Sequence, residues 1–192
     1  MQEESNFKDE EKLSKIRALE LWDKKIIYTF EAGTVKGLQQ IHAYLFQDVF
    51  DFAGQIRRVN LAKGNFRFAP LLFLADNLRI IDTMPTNTFD EIIEKYIELN
   101  IAHPFREGNG RSMRIWLDLL LKTKIRYCID WSKIDKYQYL SAMERSPVNS
   151  LELRTLLKAA LTQDIENRDV YMRGIQSSYG YEDFNRYDIY RL

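Results

Sequence analysis

Apolar residues recur in this chain mostly at intervals of three and four, and this spacing is the strongest constraint on its fold. The pattern is typical of amphipathic helices, and only 8 glycines and 4 prolines interrupt it across 192 residues. The clearest case follows Thr34, where Val35, Leu38, Ile41 and Leu45 fall along one helical stripe. The spacing therefore predicts a mainly α-helical fold.

Helix-start signals divide the chain into further segments. Thr88 and Glu91 have the spacing of a capping box, and Pro85 ends the helix before them. Ser5 is expected to cap a first helix that runs to Lys24. Further helices are expected at about 110–122, 132–145, 149–161 and 167–181.

One segment departs from the helical spacing. Residues 54–70, GQIRRVNLAKGNFRFAP, alternate short apolar and polar stretches about a turn at Lys63-Gly64-Asn65. This alternation predicts a β-hairpin. Because an isolated two-stranded hairpin is marginally stable in water, it must pack on the helices or on a ligand.

Length, charge and cysteine content limit the class of protein. A chain of 192 residues can form one domain with its own core, and we expect a single domain over 1–192. Its 28 basic and 28 acidic residues cancel, so no net charge draws it to nucleic acid or to an anionic membrane. Cys128 is the only cysteine, which excludes an internal disulfide and favours the cytoplasm. No apolar run approaches the ~20 residues of a membrane span.

The segment 101–116, IAHPFREGNGRSMRIW, carries the strongest chemical signal. Its Gly108-Asn109-Gly110 stretch allows successive backbone amides to turn toward one point, and the helix that follows favours an anion at its start. Arg111 and Arg114 are three residues apart and share a helical face, where their guanidinium groups suit phosphate oxygens. The segment therefore predicts a polyphosphate site.

Two titratable residues precede that site. Glu107 is placed to hold a magnesium ion that also bridges the phosphates. His103 has an intrinsic pKa of about 6.5, which suits a general base. Each feature alone has a structural explanation, as does the isolated His42, but their clustering between 103 and 114 favours one site.

The stretch from His103 to Arg114, HPFREGNGRSMR, resembles the full signature of the Fic domain family, HPFx(D/E)GNGRxxR. The resemblance extends over about 33–182 and implies a Fic-type helical bundle with one β-hairpin flap, 54–70, over the active site. Residues 1–32 would be an N-terminal helical extension. The implied activity is transfer of AMP from ATP to a hydroxyl on a protein side chain, with pyrophosphate leaving.

The resemblance also implies roles for individual residues. His103 would take the proton from the incoming hydroxyl, and Glu107 would ligate Mg²⁺. The flap would pair its edge with the backbone of the target. Solvated or structural roles for Lys63 and Asn100 stay open. The nucleotide-binding residues would be Gly108, Asn109, Gly110, Arg111, Ser112, Met113, Arg114, Lys63, Asn100, Ile101 and Ala102.

Short members of one class of this family end in an inhibitory helix with a motif close to (S/T)xxxE(G/N), whose glutamate pairs with the second arginine of the signature. Ser178 and Glu182 fit that motif, so the resemblance implies an inhibitory helix over 167–182 and a pairing of Glu182 with Arg114. Residues 183–192 are expected to form a flexible tail.

Two positions depart from the inhibitory motif. Asp183 stands where glycine or asparagine is expected, and Gly180 lowers helix propensity by about 1 kcal/mol relative to alanine. These departures predict a loose brake. Tyr179 and Tyr181 lie beside the glutamate and are candidate self-modification sites.

The expected ligands are ATP, Mg²⁺ and a protein substrate, for which type II topoisomerase subunits of bacteria are a first guess from the resemblance. Self-association stays open, and no membrane or direct nucleic-acid partner is expected. Three alternatives also stay open: transfer of a different phosphate group, removal of AMP from a modified target, and a non-enzymatic helical module that binds DNA or an antitoxin.

Overall fold

A computed structural model describes residues 2–63 and 66–192, with side chains described from Glu10 onward except those of Lys63 and Phe66. This part of the chain forms eight α-helices and two short antiparallel strand pairs, with 3₁₀ turns at Ile26–Thr29, Trp131–Lys133 and Ile189–Arg191. In chain order the elements are α1 (Gln2–Asp23), α2 (Val35–Phe46), β1 (Ala62–Lys63), β2 (Phe66–Arg67), α3 (Leu71–Thr83), α4 (Phe89–Ala102), α5 (Asn109–Ile125), β3 (Cys128–Ile129), α6 (Lys136–Arg145), α7 (Leu151–Ala159), β4 (Leu161–Thr162) and α8 (Arg168–Gly180).

The predicted mainly helical fold is confirmed, and the cap residues act as their types suggest. The Thr34 hydroxyl accepts a hydrogen bond from the Gly37 amide at 2.9 Å and begins α2. Thr88 and Glu91 form a complete capping box at the start of α4. Each cap satisfies backbone N–H groups that have no partner within the helix.

Helix α5 is the centre of the core and contacts α2, α4 and α8. Its Trp116, Leu117 and Leu120 are fully buried. The indole N–H of Trp116 donates to the Thr34 carbonyl at 2.9 Å, which ties the start of α2 to the middle of α5. The helix that carries Arg111 and Arg114 is therefore held by packing on several sides.

The predicted hairpin is much shorter than the segment 54–70. Strands β1 and β2 pair only Ala62 with Arg67 and Lys63 with Phe66, and the expected turn residues Gly64 and Asn65 lie outside the described residues. Beyond these pairs, the Phe68 amide donates to the Leu61 carbonyl, whereas the amides of Arg57 and Ala69 donate to the carbonyls of Pro104 and Ile101 at the end of α4 and just after it. A second pair, β3 with β4, joins Cys128 to Thr162 and Ile129 to Leu161, and no alternation in sequence predicted it.

The segment 183–192, for which we expected a flexible tail, is hydrogen-bonded to α1. The backbone amides of Arg186 and Tyr187 donate to the buried Glu11 carboxylate, and the Lys15 ammonium donates to the Tyr187 carbonyl at 2.6 Å. Ile189 is 1% exposed. Among the described helices, none has both the length and the apolar character needed to cross a membrane.

Candidate functional site

The loop between α4 and α5 has a fixed conformation. His103 caps α4 in the left-handed region at φ 48°, and Gly108 precedes α5 at φ 78°. A side chain at Gly108 would bring its Cβ within 2.5 Å of the Phe46 ring, so only glycine fits. The Asn109 side chain then closes the loop, because it accepts from the Phe105 amide at 2.9 Å and donates to the Phe105 carbonyl at 2.8 Å.

His42 is buried against this loop and holds it through a hydrogen bond and a ring contact. The Gly54 amide donates to its Nδ1 at 2.9 Å, so its Nε2 carries the proton and donates to the Glu107 carbonyl at 2.8 Å. Its ring stacks on Phe105, with centroids 3.8 Å apart. Burial lowers the pKa of His42 to about 4, so the imidazole stays neutral near pH 7.

The His103 imidazole is half-buried and stacks on a residue that follows β2. Its ring centroid lies 3.6 Å from that of Phe68, and the two planes are 14° apart. The segment after the hairpin therefore contacts the imidazole directly.

One carboxylate bridges the two arginines of α5. Glu182 lies 2.8 Å from Nε of Arg111 and 2.7 Å from Nη2 of Arg114. Arg111 is fully buried and also pairs with Glu10 of α1 at 2.8 Å. Arg114 donates from Nε to the Ser178 hydroxyl at 2.6 Å and from Nη2 to its carbonyl at 2.8 Å. Carboxylates from two distant segments thus converge on one face of α5.

The electrostatics of this cluster favour charged arginines. Burial lowers the pKa of Arg111 and of Arg114, but acidic neighbours, Glu182 among them, outweigh it and the net shift of both pKa values is upward. Burial raises the pKa of Glu10, and its pairing with Arg111 offsets that only in part. Aromatic rings complete the surroundings of the Arg111 guanidinium, with Phe46 and Phe184 at 4.8 and 4.6 Å.

Gly110 makes the close approach of Glu182 possible. A Cβ at this position would lie 2.4 Å from Glu182 Oε1 and 2.9 Å from Arg114 Nη1. The carboxylate therefore rests against the first turn of α5, where helix geometry favours an anion.

Glu107 is at the edge of the arginine cluster. Its side chain is 58% exposed, its Oε1 accepts from the Gly108 amide at 2.9 Å, and the same oxygen lies 3.5 Å from Arg111 Nη2. Within 2–63 and 66–192, no group of three or more His, Cys, Asp or Glu residues is arranged to hold a metal ion. A cation at Glu107 would therefore take its other ligands from phosphate and water, which is usual for Mg²⁺.

Several residues expected to bind nucleotide have side chains directed elsewhere. The Ser112 hydroxyl donates to the Gly108 carbonyl of its own helix at 2.8 Å, and Met113 and Ala102 are buried in the core. Ser112 and Met113 lie between Arg111 and Arg114 and face the other side of α5, whereas Ala102 is the last residue of α4. Ile101 packs against the core and Asn100 is half-buried on α4, whereas the side chain of Lys63 lies outside the described residues.

The end of α8 accommodates both departures from the inhibitory motif. Helix α8 ends at Gly180, and Asp183 adopts the left-handed conformation at φ 66°, which asparagine and aspartate tolerate better than most residues. Tyr179 and Tyr181 are buried, and the Tyr181 hydroxyl lies 2.9 Å from the Trp131 carbonyl. Neither tyrosine is accessible for modification in this arrangement.

Several residues that reach the site from distant segments were not predicted from the sequence. Among them are Glu10 and Phe184, which contact Arg111, and Phe68, which stacks on His103. Nothing in the local pattern distinguishes Glu10 from the adjacent Glu11, and the ring of Phe184 lies in a stretch that reads as an irregular tail.

The fold and the site define a class of protein: a helical domain with an anion site at a helix start and a histidine on the same loop. Residues 33–121 match the family model described as Fic/DOC family. This match covers a little under half of the chain and includes the loop with His103 and the start of α5.

Two relatives with similar sequences are named as adenylyltransferases. The chain is 33% identical over 172 residues to "Protein adenylyltransferase VbhT" of Bartonella schoenbuchensis, a match that covers 81% of this chain and 34% of that protein. It is 28% identical over 151 residues to "Probable protein adenylyltransferase Fic" of Salmonella typhimurium, covering 70% of this chain and 75% of that protein. The chain thus spans about a third of the first relative and three quarters of the second.

Solved structures share the fold. The N-terminal Fic domain of a putative cell filamentation protein from Bartonella quintana, solved with bound ADP, superposes with a TM-score of 0.66 at 18% identity, covering 87% of this chain and 88% of that one. The BepC protein of Bartonella tribocorum, solved with bound AMPPNP, gives 0.64 at 18% identity, covering 83% and 87%.

Proposed function

We propose that this protein is a magnesium-dependent protein adenylyltransferase that its own Glu182 restrains. The observation that carries the proposal is the anion position at the start of α5, where one carboxylate bridges Arg111 and Arg114 and only a glycine, Gly110, fits beside it. A site that holds a carboxylate between two guanidinium groups has the charge and geometry to hold phosphate instead.

The comparisons support the same reaction class. Relatives that cover most of this chain are named as adenylyltransferases or probable adenylyltransferases, and two solved structures with this fold contain ADP or AMPPNP. ATP is accordingly the proposed donor of AMP, and a hydroxyl side chain of another protein is the proposed acceptor.

The reaction requires positioning and charge neutralisation more than covalent chemistry from the protein. The backbone amides of Gly108, Asn109 and Gly110 and the guanidinium groups of Arg111 and Arg114 would bind the phosphates. The His103 imidazole would accept the proton of the target hydroxyl. That oxygen forms a bond to the α-phosphorus, the bond from phosphorus to the bridging oxygen breaks, and pyrophosphate leaves.

Glu107 fits the requirement for a magnesium ligand. It is a hard oxygen donor, largely exposed at the edge of the arginine cluster, and it is a single carboxylate, as expected when substrate phosphates supply other ligands. Bound there, Mg²⁺ would supply charge neutralisation for the phosphates.

The hairpin β1–β2 is the proposed docking edge for the target. An extended target segment that pairs with it would present its hydroxyl to His103, because Phe68 just after β2 already touches that imidazole. We propose type II topoisomerase subunits as the first targets to test and the cytoplasm as the location. Self-association can be measured on the same protein samples.

Autoinhibition follows from competition for the arginines. With Glu182 in place, Arg111 and Arg114 have carboxylate partners and are not available to a triphosphate. Glu10 adds a second carboxylate to Arg111, so an N-terminal helix supports the C-terminal brake. Because Tyr179 and Tyr181 are buried, their self-modification would require α8 to leave the core.

The decisive experiment follows the α-phosphate. Incubation with ATP labelled at that phosphate should mark the protein or a lysate target weakly for the wild type and strongly for Glu182→Gly. Adding His103→Ala to Glu182→Gly should abolish the label while nucleotide binding persists. Absence of label in every variant would contradict the proposal.

The remaining candidate functions give different results in the same assay. Transfer of label from the γ-phosphate would indicate a different phosphate transfer, and release of AMP from a pre-modified protein would indicate the reverse activity. Calorimetry that detects no heat with ATP and Mg²⁺ for Glu182→Gly would favour a non-enzymatic binding module.

A further inference from the structure

Arg57 is a buried arginine outside the phosphate-directed pair, with 2% of its surface exposed. Its Nε donates to the His103 carbonyl at 2.8 Å and its Nη1 to the Val59 carbonyl at 2.6 Å. Its Nη2 donates to the carbonyls of Ala69 at 2.5 Å and of Ala102 at 3.0 Å. All four of these acceptors belong to the main chain.

The position of these acceptors explains why arginine is needed. Ala102 is the last residue of α4 and His103 is its cap, so their carbonyls lack donors within the helix and carry its negative dipole end. A guanidinium group offers five N–H donors in a planar fork, whereas a lysine ammonium offers three from one point. Only the fork can bond four carbonyls that approach from different directions.

The same carbonyls connect the hairpin to the loop that bears His103. Val59 lies before β1 and Ala69 lies after β2, so both ends of the hairpin converge on Arg57. Two backbone hydrogen bonds add to this connection: Arg57 N–H to the Pro104 carbonyl at 2.8 Å, and Ala69 N–H to the Ile101 carbonyl at 2.9 Å.

This connection bears on the imidazole through Phe68. Phe68 directly precedes the anchored Ala69, and its ring stacks on His103 at 3.6 Å between centroids. The left-handed backbone of His103 is held at its carbonyl by the same guanidinium. The ring and the residue it stacks on are therefore both fixed by Arg57.

We propose that Arg57 is a positioning residue: by holding the carbonyls of Ala69 and His103, it keeps Phe68 stacked on the imidazole and fixes the direction from which His103 meets the acceptor hydroxyl. The kinetic consequence rests on the proposed function, whereas the placement of the imidazole can be measured without it.

The placement is tested by NMR of the imidazole protons. The chain has only two histidines, His42 and His103, and His103→Gln assigns their signals. Stacking on Phe68 should shift the His103 signals upfield, and Phe68→Leu should return them toward the position of a free imidazole. Arg57→Gln should cause the same return and leave the His42 signals unchanged, which also shows that the variant is folded.

Each NMR outcome either supports or contradicts the positioning role of Arg57. His103 signals that stay at their wild-type position in Arg57→Gln, while Phe68→Leu moves them, would overturn the inference, and so would signals that neither variant moves. If Arg57→Gln does not fold, Arg57→Lys keeps the charge without the fork. A folded Arg57→Lys with unshifted His103 signals would contradict the role of the fork.

The kinetic test uses Glu182→Gly as the parent. Arg57→Gln should lower kcat for AMP transfer ~10- to 100-fold, as expected for a misplaced reacting group, with the KM for ATP within about two-fold. The matched control is Arg79→Gln, which removes the same charge from an exposed side chain of α3 and should leave kcat unchanged. An unchanged kcat in Arg57→Gln, or an equal rise in KM, would overturn the inference. A parent without transfer activity would contradict the proposed function instead, and the NMR result would then decide for Arg57.

Discussion

Two groups of buried cationic or imidazole side chains adjoin the loop between α4 and α5, and their polar partners differ in kind. Arg111 and Arg114, here called the latched pair, are neutralised by carboxylates from segments distant in sequence. Arg57 and His42, here called the loop anchors, bond to backbone groups of the loop and of the segment 54–69.

The difference indicates which contacts can change. A carboxylate on a separate element can be replaced by a phosphate oxygen of similar charge and geometry, because the donor fork accepts either. A backbone carbonyl of the loop cannot leave without unfolding the loop. The latched pair is therefore suited to exchange its partner, and the loop anchors are suited to keep theirs.

The largest expected effect comes from removing Glu182, the carboxylate that bridges the latched pair. Glu182→Gly should raise the affinity for AMPPNP with Mg²⁺ about 10- to 100-fold, which corresponds to the usual range of coupling free energies. Titration calorimetry on both proteins measures the ratio. The control is Asp183→Asn, which removes a neighbouring charge that pairs with Lys136 and not with the arginines. Equal affinities for wild type and Glu182→Gly would show that the carboxylate does not compete with nucleotide.

The second prediction concerns the loop anchor His42. Its folded-state pKa of about 4 lies below an unfolded value of about 6.5, so its stabilising contribution is complete above pH 6.5 and is lost as pH falls toward 4. Between pH 7.5 and 5.0, wild type should lose about 2 kcal/mol more unfolding free energy than His42→Gln. Urea denaturation at both pH values measures this difference.

Asp118 serves as the control for that experiment, because its pKa shifts in the opposite direction. Burial raises the pKa of Asp118 to about 6, so its folded state takes up a proton more readily than the unfolded state. Its contribution to stability therefore falls as pH rises through about 4 to 6. Asp118→Asn should steepen the acid loss that His42→Gln reduces. Identical pH profiles for His42→Gln and wild type would contradict the assignment of a neutral buried imidazole.

The third prediction compares one arginine from each group. In the Glu182→Gly parent, Arg111→Gln should weaken AMPPNP binding ~10-fold, since hydrogen bonds to charged groups contribute about 1.5–3 kcal/mol. Arg57→Gln should leave that affinity within about two-fold, because its acceptors are main-chain carbonyls of the hairpin ends and of the end of α4. Equal losses of affinity in the two variants would erase the distinction between the groups.

The smallest expected effect is at Glu10. Glu10→Gln removes a carboxylate that pairs with Arg111 alone, whereas Glu182 pairs with both arginines, so it should raise AMP transfer only about two- to five-fold. In the Glu182→Gly background the gain should shrink, because residues that share a partner are not additive. The exposed Glu152→Gln is the charge-matched control. A larger gain from Glu10→Gln than from Glu182→Gly would show that Glu10, and not Glu182, is the main inhibitory carboxylate.

The sequence was informative wherever local chemistry decides the structure. The helix after Thr34 and the Thr88 capping box depend on residues close in sequence, and both were predicted. The pairing of Glu182 with Arg114 also came from a motif, through the resemblance.

The sequence was uninformative where contacts join distant segments. Glu10 meets Arg111 across about a hundred residues, and Arg57 bonds to carbonyls that any residue type would present. Strands of two residues, such as β3 and β4, are too short for alternation to reveal. The hairpin was also predicted too long, because the backbone amides of Arg57 and Ala69 donate to Pro104 and Ile101 instead of to a partner strand.

Gly110 limits how inhibition could be lost through evolution. Any larger side chain there would displace Glu182, since a Cβ would lie 2.4 Å from its Oε1, and it would also intrude 2.9 Å from Arg114 Nη1. A substitution at this position would therefore displace the inhibitory carboxylate and also disturb the phosphate-binding site. Constitutively active descendants should arise instead through changes at Glu182 or in α8, while Gly110 stays invariant among them.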